Sequence, residues 1–128
     1  MLILIVEDEV FIALDLEMQL MDLGHEVLGI AACKATAIEL ACAHAPDLAL
    51  ANLHLARQLS GAEAAAFMRA KLGIPSIIIG GSLHELTEAD IAAIAPAAML
   101  GKPFSPVKLH AAVQGVAQKA TLRDEGIE

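Results

Sequence analysis

Four residues stand out for their chemistry and for where they fall. Glu7 and Asp8 close the apolar run LILIV, Asn52 closes the run LALA in PDLALANLHL, and Lys102 precedes a proline in GKPF. Each is a polar group delivered by the end of an apolar run, which is where an α/β sheet presents the side chains that act on ligands. The two acids also have a simpler reading. They approach the start of a helical pattern, where the helix dipole favours a carboxylate by ~0.3–1 kcal/mol, and in that role they bind no metal. Asn52 is the odd member. An amide is not a weaker carboxylate, because it carries no charge and its nitrogen lone pair is delocalised.

Other candidates are weaker. Of the five histidines, His25 sits in the turn LGHEV and suits a local polar contact. His44, His84 and His110 are scattered with no i, i+4 pairing, which argues against a zinc site. His54, two residues beyond Asn52, reads as a rim residue of whatever pocket Asn52 faces. Cys33 and Cys42 lack metal-knuckle or disulfide spacing and read as small core or helix residues. Eight Lys and Arg against sixteen Asp and Glu give a net charge of -8, which argues against a nucleic-acid surface. Three Phe with no Tyr or Trp leave no platform for base stacking. Although 57% of residues are hydrophobic, no apolar run approaches the ~18 residues of a membrane span. MLILIV leads straight into acids without a basic flank or cleavage site, so the expected compartment is the cytoplasm and no membrane is expected as a partner.

The elements that must position these residues alternate. Apolar runs at 2–6, 26–31, 48–51, 76–79 and 97–100 read as strands. Longer periodic stretches at about 9–23, 34–44, 60–72, 87–95 and from 105 onward read as helices. In the first helix Phe11, Leu14, Met18 and Met21 share one face while Asp15, Gln19 and Asp22 share another, an ordinary amphipathic pattern. Ser60 and Glu63 fit a capping box, Thr87 and Asp90 a weaker one, and Ser105 stands as an N-cap before Pro106. Pro96 is expected to stop the fourth helix. Residues 121–128 read as a frayed acidic tail on a single domain of residues 1–120. Five strands alternating with five helices give an α/β fold, a doubly wound five-stranded parallel sheet with function at the strands' carboxyl ends. After the fourth strand stand Gly80 and Gly81, with Ser82 beyond.

Taken in order and spacing, LILIVEDE, LGHEVLGIA, PDLALANLHL, SGAEAA, IPSIII and GKPF resemble the receiver domain of bacterial two-component response regulators, over residues 2 to about 118. The resemblance implies the flavodoxin-like, CheY-like strand order 2-1-3-4-5. It also implies phosphoryl transfer from a kinase phosphohistidine to an aspartate, with magnesium held by the acids, the acceptor and a backbone carbonyl. Glu7, Asp8 and Lys102 match the family's acid pair and lysine, and the His54 carbonyl matches the backbone ligand. Three positions depart: Asn52 stands at the phosphoacceptor, Gly80 at the Ser/Thr switch and Met99 at the aromatic switch. An amide cannot form an acyl phosphate, Gly80 has no hydroxyl, and Met99 has no ring to flip.

The resemblance with these departures implies a pseudo-receiver: a non-enzymatic, stand-alone signalling module of a phosphorelay, acting by protein–protein interaction. It requires no cofactor, and magnesium is held at most weakly by Glu7, Asp8, Asn52 and the His54 carbonyl. Its partner would be a histidine kinase, a phosphotransfer protein, another regulator or a second copy, docking on the fourth helix, fifth strand and fifth helix, around residues 85–100 and 105–118. Other readings stay open. The chain could instead be a phosphoaccepting response regulator, with Asn52 replacing a native Asp or another side chain accepting; Ser82 could stand in for the missing switch hydroxyl; or the chain could be the regulatory domain of a longer regulator.

Overall fold

The computed structural model describes residues 1–56, 58–124 and 126. Its strands are β1 (Leu2–Val6), β2 (Glu26–Ala31), β3 (Leu48–Asn52), β4 (Ser76–Gly80) and β5 (Ala98–Gly101). Its helices are α1 (Val10–Asp22), α2 (Lys34–His44), α3 (Ser60–Phe67), α4 (Glu88–Ile94) and α5 (Pro106–Asp124). All pairings are parallel, in the order β2-β1-β3-β4-β5 that the resemblance implies. Strand ends differ from the sequence reading by a single residue. β3 takes in Asn52 and β4 takes in Gly80, because both residues still pair along the sheet.

Alternation along the central strands builds two apolar layers, since successive side chains leave a strand on opposite faces. Ile3, Ile5, Leu48, Leu50, Ile77 and Ile79 pack on one side with Leu16 and Leu20 of α1 and with Leu109, Val113 and Val116 of α5. Leu4, Val6, Ala49, Ala51 and Ile78 pack on the other with Ala37 and Ala41 of α2, Ala64 and Ala65 of α3, and Ile94 of α4. Alanine dominates the α2 and α3 contacts, so those helices lie close to the sheet. Gly61 marks the extreme: a Cβ built there would lie 1.7 Å from the carbonyl oxygen of Asn52. Only glycine lets the start of α3 press against the end of β3.

The helix-end signals are realised unevenly. The Thr87–Asp90 capping box is present in both directions, with the Asp90 amide donating to Thr87 Oγ1 at 3.1 Å and the Thr87 amide donating to Asp90 Oδ2 at 2.9 Å. Ser105 Oγ accepts from the Lys108 amide at 3.3 Å, and Pro106 opens α5. α4 ends at Ile94, just before Ala95 and Pro96. The expected capping box at Ser60 is not formed. Leu59 occupies the cap without a side-chain bond, and Glu63 reaches across to Lys34 at 3.3 Å instead. The stretch expected as one helix over 60–72 changes into a π-helical turn at Met68–Leu72 before Gly73. Residues 121–124, expected to be frayed, continue α5, since no glycine or proline interrupts them before Gly126. The remainder of that tail, apart from Gly126, lies outside the described residues. Cys33 and Cys42 are both exposed, which rules out the core reading for either.

The largest correction concerns α1. Its inward face is Ala13, Leu16 and Leu20, while Phe11, Leu14, Met18 and Met21 are exposed. At about 100° per residue the helix carries two apolar stripes on opposite sides. The sheet takes the one formed by Ala13, Leu16 and Leu20, where the small Ala13 side chain allows close approach. The methionine and phenylalanine stripe is left facing outward.

Candidate functional site

Four strand ends converge on one pocket. β1 delivers Glu7 and Asp8, β3 delivers Asn52 with His54 just beyond, β4 ends on Gly80, and β5 leads into Lys102, whose backbone amide donates to the Gly80 carbonyl at 2.9 Å. A cavity of about 550 Å³ opens there, lined by Asp8, Glu9, Asn52, His54, Ala56, Ser82 and Glu85.

Glu7 lies beneath it, 1% exposed. Its Oε1 accepts from the Asn52 amide nitrogen at 3.1 Å and from the Glu9 backbone amide at 3.1 Å. The side-chain orientation of Asn52 follows from this contact, because only its NH₂ can donate to a carboxylate. Glu7 Oε2 has no hydrogen-bond partner and sits 3.9 Å from Lys102 Nζ. Burial raises the Glu7 carboxyl above its ordinary value. The Glu9 amide, the Lys102 charge and the Asn52 amide pull it back, and the Asp8 charge adds to the rise. A carboxylate without full pairing is costly inside a protein, and here an amide and a lysine supply the partial compensation.

The remaining polar groups are also engaged. Asp8 Oδ2 accepts from the Ala56 amide at 2.9 Å, with Ala56 held at φ 51, a left-handed backbone conformation. His54 Nε2 meets Glu85 Oε2 at 2.8 Å, linking the loop after β3 to the loop after β4. Neither the Ala56 contact nor the Glu85 partner was read from the sequence. Both are loop contacts across more than thirty positions, and no periodicity encodes them. Elsewhere His25, expected to make a contact local to its turn, instead meets the N-terminal amine of Met1, 24 positions away, its Nδ1 lying 2.9 Å from it.

The switch positions are placed as the sequence suggested but are differently enclosed. A Cβ added at Gly80 would stand 3.0 Å from Leu53 Cβ and 3.7 Å from Leu83 Cδ2, so apolar side chains crowd the space a hydroxyl would occupy. Met99 lies on the edge strand β5, paired with Ile78 and 39% exposed. Ser82, by contrast, lines the cavity itself.

The arrangement does not fit a divalent metal as it stands. Hard cations take several oxygen ligands, yet Asn52 turns its nitrogen toward Glu7 and Lys102 places a positive charge on the carboxylate's other side. Among the described residues no group of three His, Cys, Asp or Glu side chains is arranged to hold an ion. Nor is any described helix long and apolar enough to cross a membrane.

Residues 3–114 match the response regulator receiver domain, and the chain belongs to that family of two-component signalling regulators. It is 34% identical over 112 residues to the phyllosphere-induced regulator PhyR of Methylorubrum extorquens, covering 87% of this chain and 41% of that protein. It is 35% identical over 115 residues to the transcriptional regulatory protein PdtaR of Mycobacterium tuberculosis, covering 88% of this chain and 54% of that one. The chain thus spans about half the length of these relatives. Among solved structures, the signal receiver domain of a modulated diguanylate cyclase from Desulfovibrio desulfuricans superposes with a TM-score of 0.79 at 31% identity, covering 95% of this chain and 97% of that one. The anti-anti-sigma factor PhyR from Bartonella quintana gives 0.79 at 28% identity, covering 98% of this chain and 50% of that one.

Proposed function

We propose that this receiver domain signals by binding a protein partner in one standing conformation, without phosphorylation at position 52 and without catalysing a reaction. The observation that carries the reading is the bond from the Asn52 amide to Glu7. In that bond Asn52 is a neutral donor, already engaged by a neighbouring carboxylate, at the position the resemblance matches to the family's nucleophile. Attack on phosphorus needs an ionised oxygen with its charge offset by cations. Asn52 offers no such oxygen. Lys102, the group suited to a phosphoryl anion, is turned toward Glu7 instead.

Conformational signalling is weakened at the same place. A phosphoryl group could shift two states only by binding one of them better, and Gly80 and Met99 provide neither a hydroxyl nor an aromatic ring for that discrimination. No cofactor is required in this reading, and magnesium binds weakly. A protein partner is supported by the name of the Bartonella relative, an anti-anti-sigma factor, which describes action on other proteins. The surface formed by α4, β5 and α5 remains the family-based docking expectation for a kinase, a phosphotransfer protein, another regulator or a second copy.

The test is intact mass after incubation with a small-molecule phosphodonor and magnesium. The expected result is an unchanged mass for this chain and a gain of one phosphoryl group for Asn52→Asp. A stoichiometric gain in the unaltered chain would mean that another side chain accepts, and the reading would be wrong.

A further inference from the structure

We propose that the groove between α3 and α4 binds a small amphiphilic amine, a compact apolar body that ends in an ammonium group. A cavity of about 270 Å³ lies there and shares no lining residue with the strand-end cavity. Leu59, Ala62 and Ala66 line it from the α3 side, and Leu86, Ala93 and Ile94 from the α4 side. Its volume falls just short of the ~300–1,000 Å³ typical of drug-sized ligand sites. A small molecule fits such a space, whereas a partner's helix, ~10 Å across, does not.

The sequence itself leaves the space open. Ala62 and Ala66 stand one turn apart on α3, and Asp90, Ala93 and Ile94 share a face of α4, so alanines meet where packed helices ordinarily interdigitate larger side chains. The floor beneath is apolar and well enclosed, with Ile94 1%, Ala62 7% and Leu86 8% exposed. Water held against it finds few hydrogen-bond partners, and an apolar group that displaces this water is favoured.

Charge then selects the head group. Glu63 and Asp90 stand at the rim on opposite helices, and no described residue lining the groove is basic. Each carboxylate has one oxygen engaged, Glu63 Oε2 by Lys34 at 3.3 Å and Asp90 Oδ2 by the Thr87 amide at 2.9 Å. The Lys34 contact joins two exposed side chains, a kind of pair that holds weakly, so it can yield to a cation arriving from the groove. An anionic ligand would meet two like charges, and a neutral one would leave both unanswered. An ammonium group on an apolar body suits rim and floor together.

A bound amine would bear on α4, a helix of seven residues that forms part of the expected docking surface. It would give a chemical signal access to a domain whose acceptor position holds an amide. That consequence rests on the proposed reading of the domain, whereas the binding itself does not, and the test reads binding alone.

The full chain is titrated at neutral pH with phenylbutylamine, phenylbutanol and phenylbutyrate, which share one apolar body and differ in head group, and backbone amides are followed by NMR. The amine is expected to bind at least tenfold more tightly than the carboxylate, with the alcohol between them and the largest shifts within residues 59–66 and 86–94. Ala66→Leu should fill the groove and weaken amine binding at least tenfold. Ala93→Leu blocks it from an exposed position on the opposite wall, so a folding defect in the first variant does not decide the matter. Glu63→Gln with Asp90→Asn should remove the preference for the amine over the alcohol, while the Asn oxygen still accepts from the Thr87 amide. Equal affinity for amine and carboxylate, or unchanged binding in a folded leucine variant, overturns the proposal. So do shifts centred on Asp8, His54 and Ser82 in the strand-end cavity, or the absence of saturable shifts with all three compounds.

Discussion

The strand-end pocket and the outer face of α1 are contributed by adjoining stretches of chain, yet they treat their groups in opposite ways. In the pocket, polar groups that a ligand would need already have partners within the molecule: Asn52 and Lys102 attend Glu7, Ala56 holds Asp8, and Glu85 holds His54. On α1, apolar groups that could have formed core are left in water. The pocket's complement lies inside the protein, while this outer strip has none there. On the proposed reading, a receiver fold built this way keeps its shape without a phosphoryl group and retains a surface with which to be recognised.

The contrast predicts that changes in and around the pocket alter stability, while changes on the strip do not. The largest effect is expected at Gly61, where an added Cβ would meet the Asn52 carbonyl oxygen at 1.7 Å. Gly61→Ala should cost about 3 kcal/mol in urea unfolding, because the obstacle is backbone and cannot swing aside. A cost below 1 kcal/mol on the order of a surface change would show that α3 and β3 are less tightly joined than described here.

Next in size is Asn52→Asp. Two carboxylates would then face each other at about 3 Å, a repulsion of roughly 5 kcal/mol at an effective dielectric of 20, relieved in part by proton uptake. The expected net loss is about 2 kcal/mol in metal-free buffer at neutral pH, with magnesium restoring more stability to the variant than to the parent. Equal magnesium stabilisation of both proteins, read from melting curves, would contradict the idea that the amide takes the place of a cation.

Glu7 provides the pH test. Burial raises its folded-state value, so between the unfolded value near 4.5 and the higher folded one the native state holds more proton than the unfolded state. Its contribution to stability is therefore fully present below the unfolded value and lost as pH rises through the folded one. Glu7→Gln should abolish that decline and raise the melting temperature at pH 7 by about 2–5 °C, provided the Gln oxygen still accepts from Asn52. An unchanged slope of stability against pH would remove Glu7 as its source.

The smallest effect should come from the strip itself. Phe11→Ser replaces a side chain that is 88% exposed and is expected to stay within about 0.5 kcal/mol of the parent in the same urea measurement. A loss as large as that of Asn52→Asp would mean that α1's outer face is packed against something in solution, and the comparison would collapse.

Much of this was legible in the sequence because the fold depends on periodicity. Strands apolar on both faces, helices with their stops, and polar residues at strand ends put Glu7, Asp8, Asn52 and Lys102 at the carboxyl ends of strands, and the family resemblance supplies the strand order that brings them together. The orientation of α1 was not legible. Its sequence holds two apolar stripes, and choosing between them requires knowing that Ala13 can approach the sheet closely. Nor could the His54–Glu85 pair be foreseen, since it depends on how two loops lean toward each other. The sequence favours the Ser60 capping box over the one at Thr87 and the structure reverses them, for a related reason: Glu63 has a rival partner in Lys34, contributed by a different helix, while Asp90 pairs with its own cap.

The contact between Gly61 and the carbonyl of Asn52 reaches beyond stability. It grips residue 52 by its main chain, whichever side chain that residue carries. Carboxylate and amide differ there by one terminal group, and any repulsion from Glu7 falls on that group while the main chain stays held, so a single nucleotide change in an asparagine codon would place an acid at the same point of the backbone. The fold thus separates the geometry of the position from its reactivity, and a lineage can lose or regain the reactive group without rebuilding the frame around it.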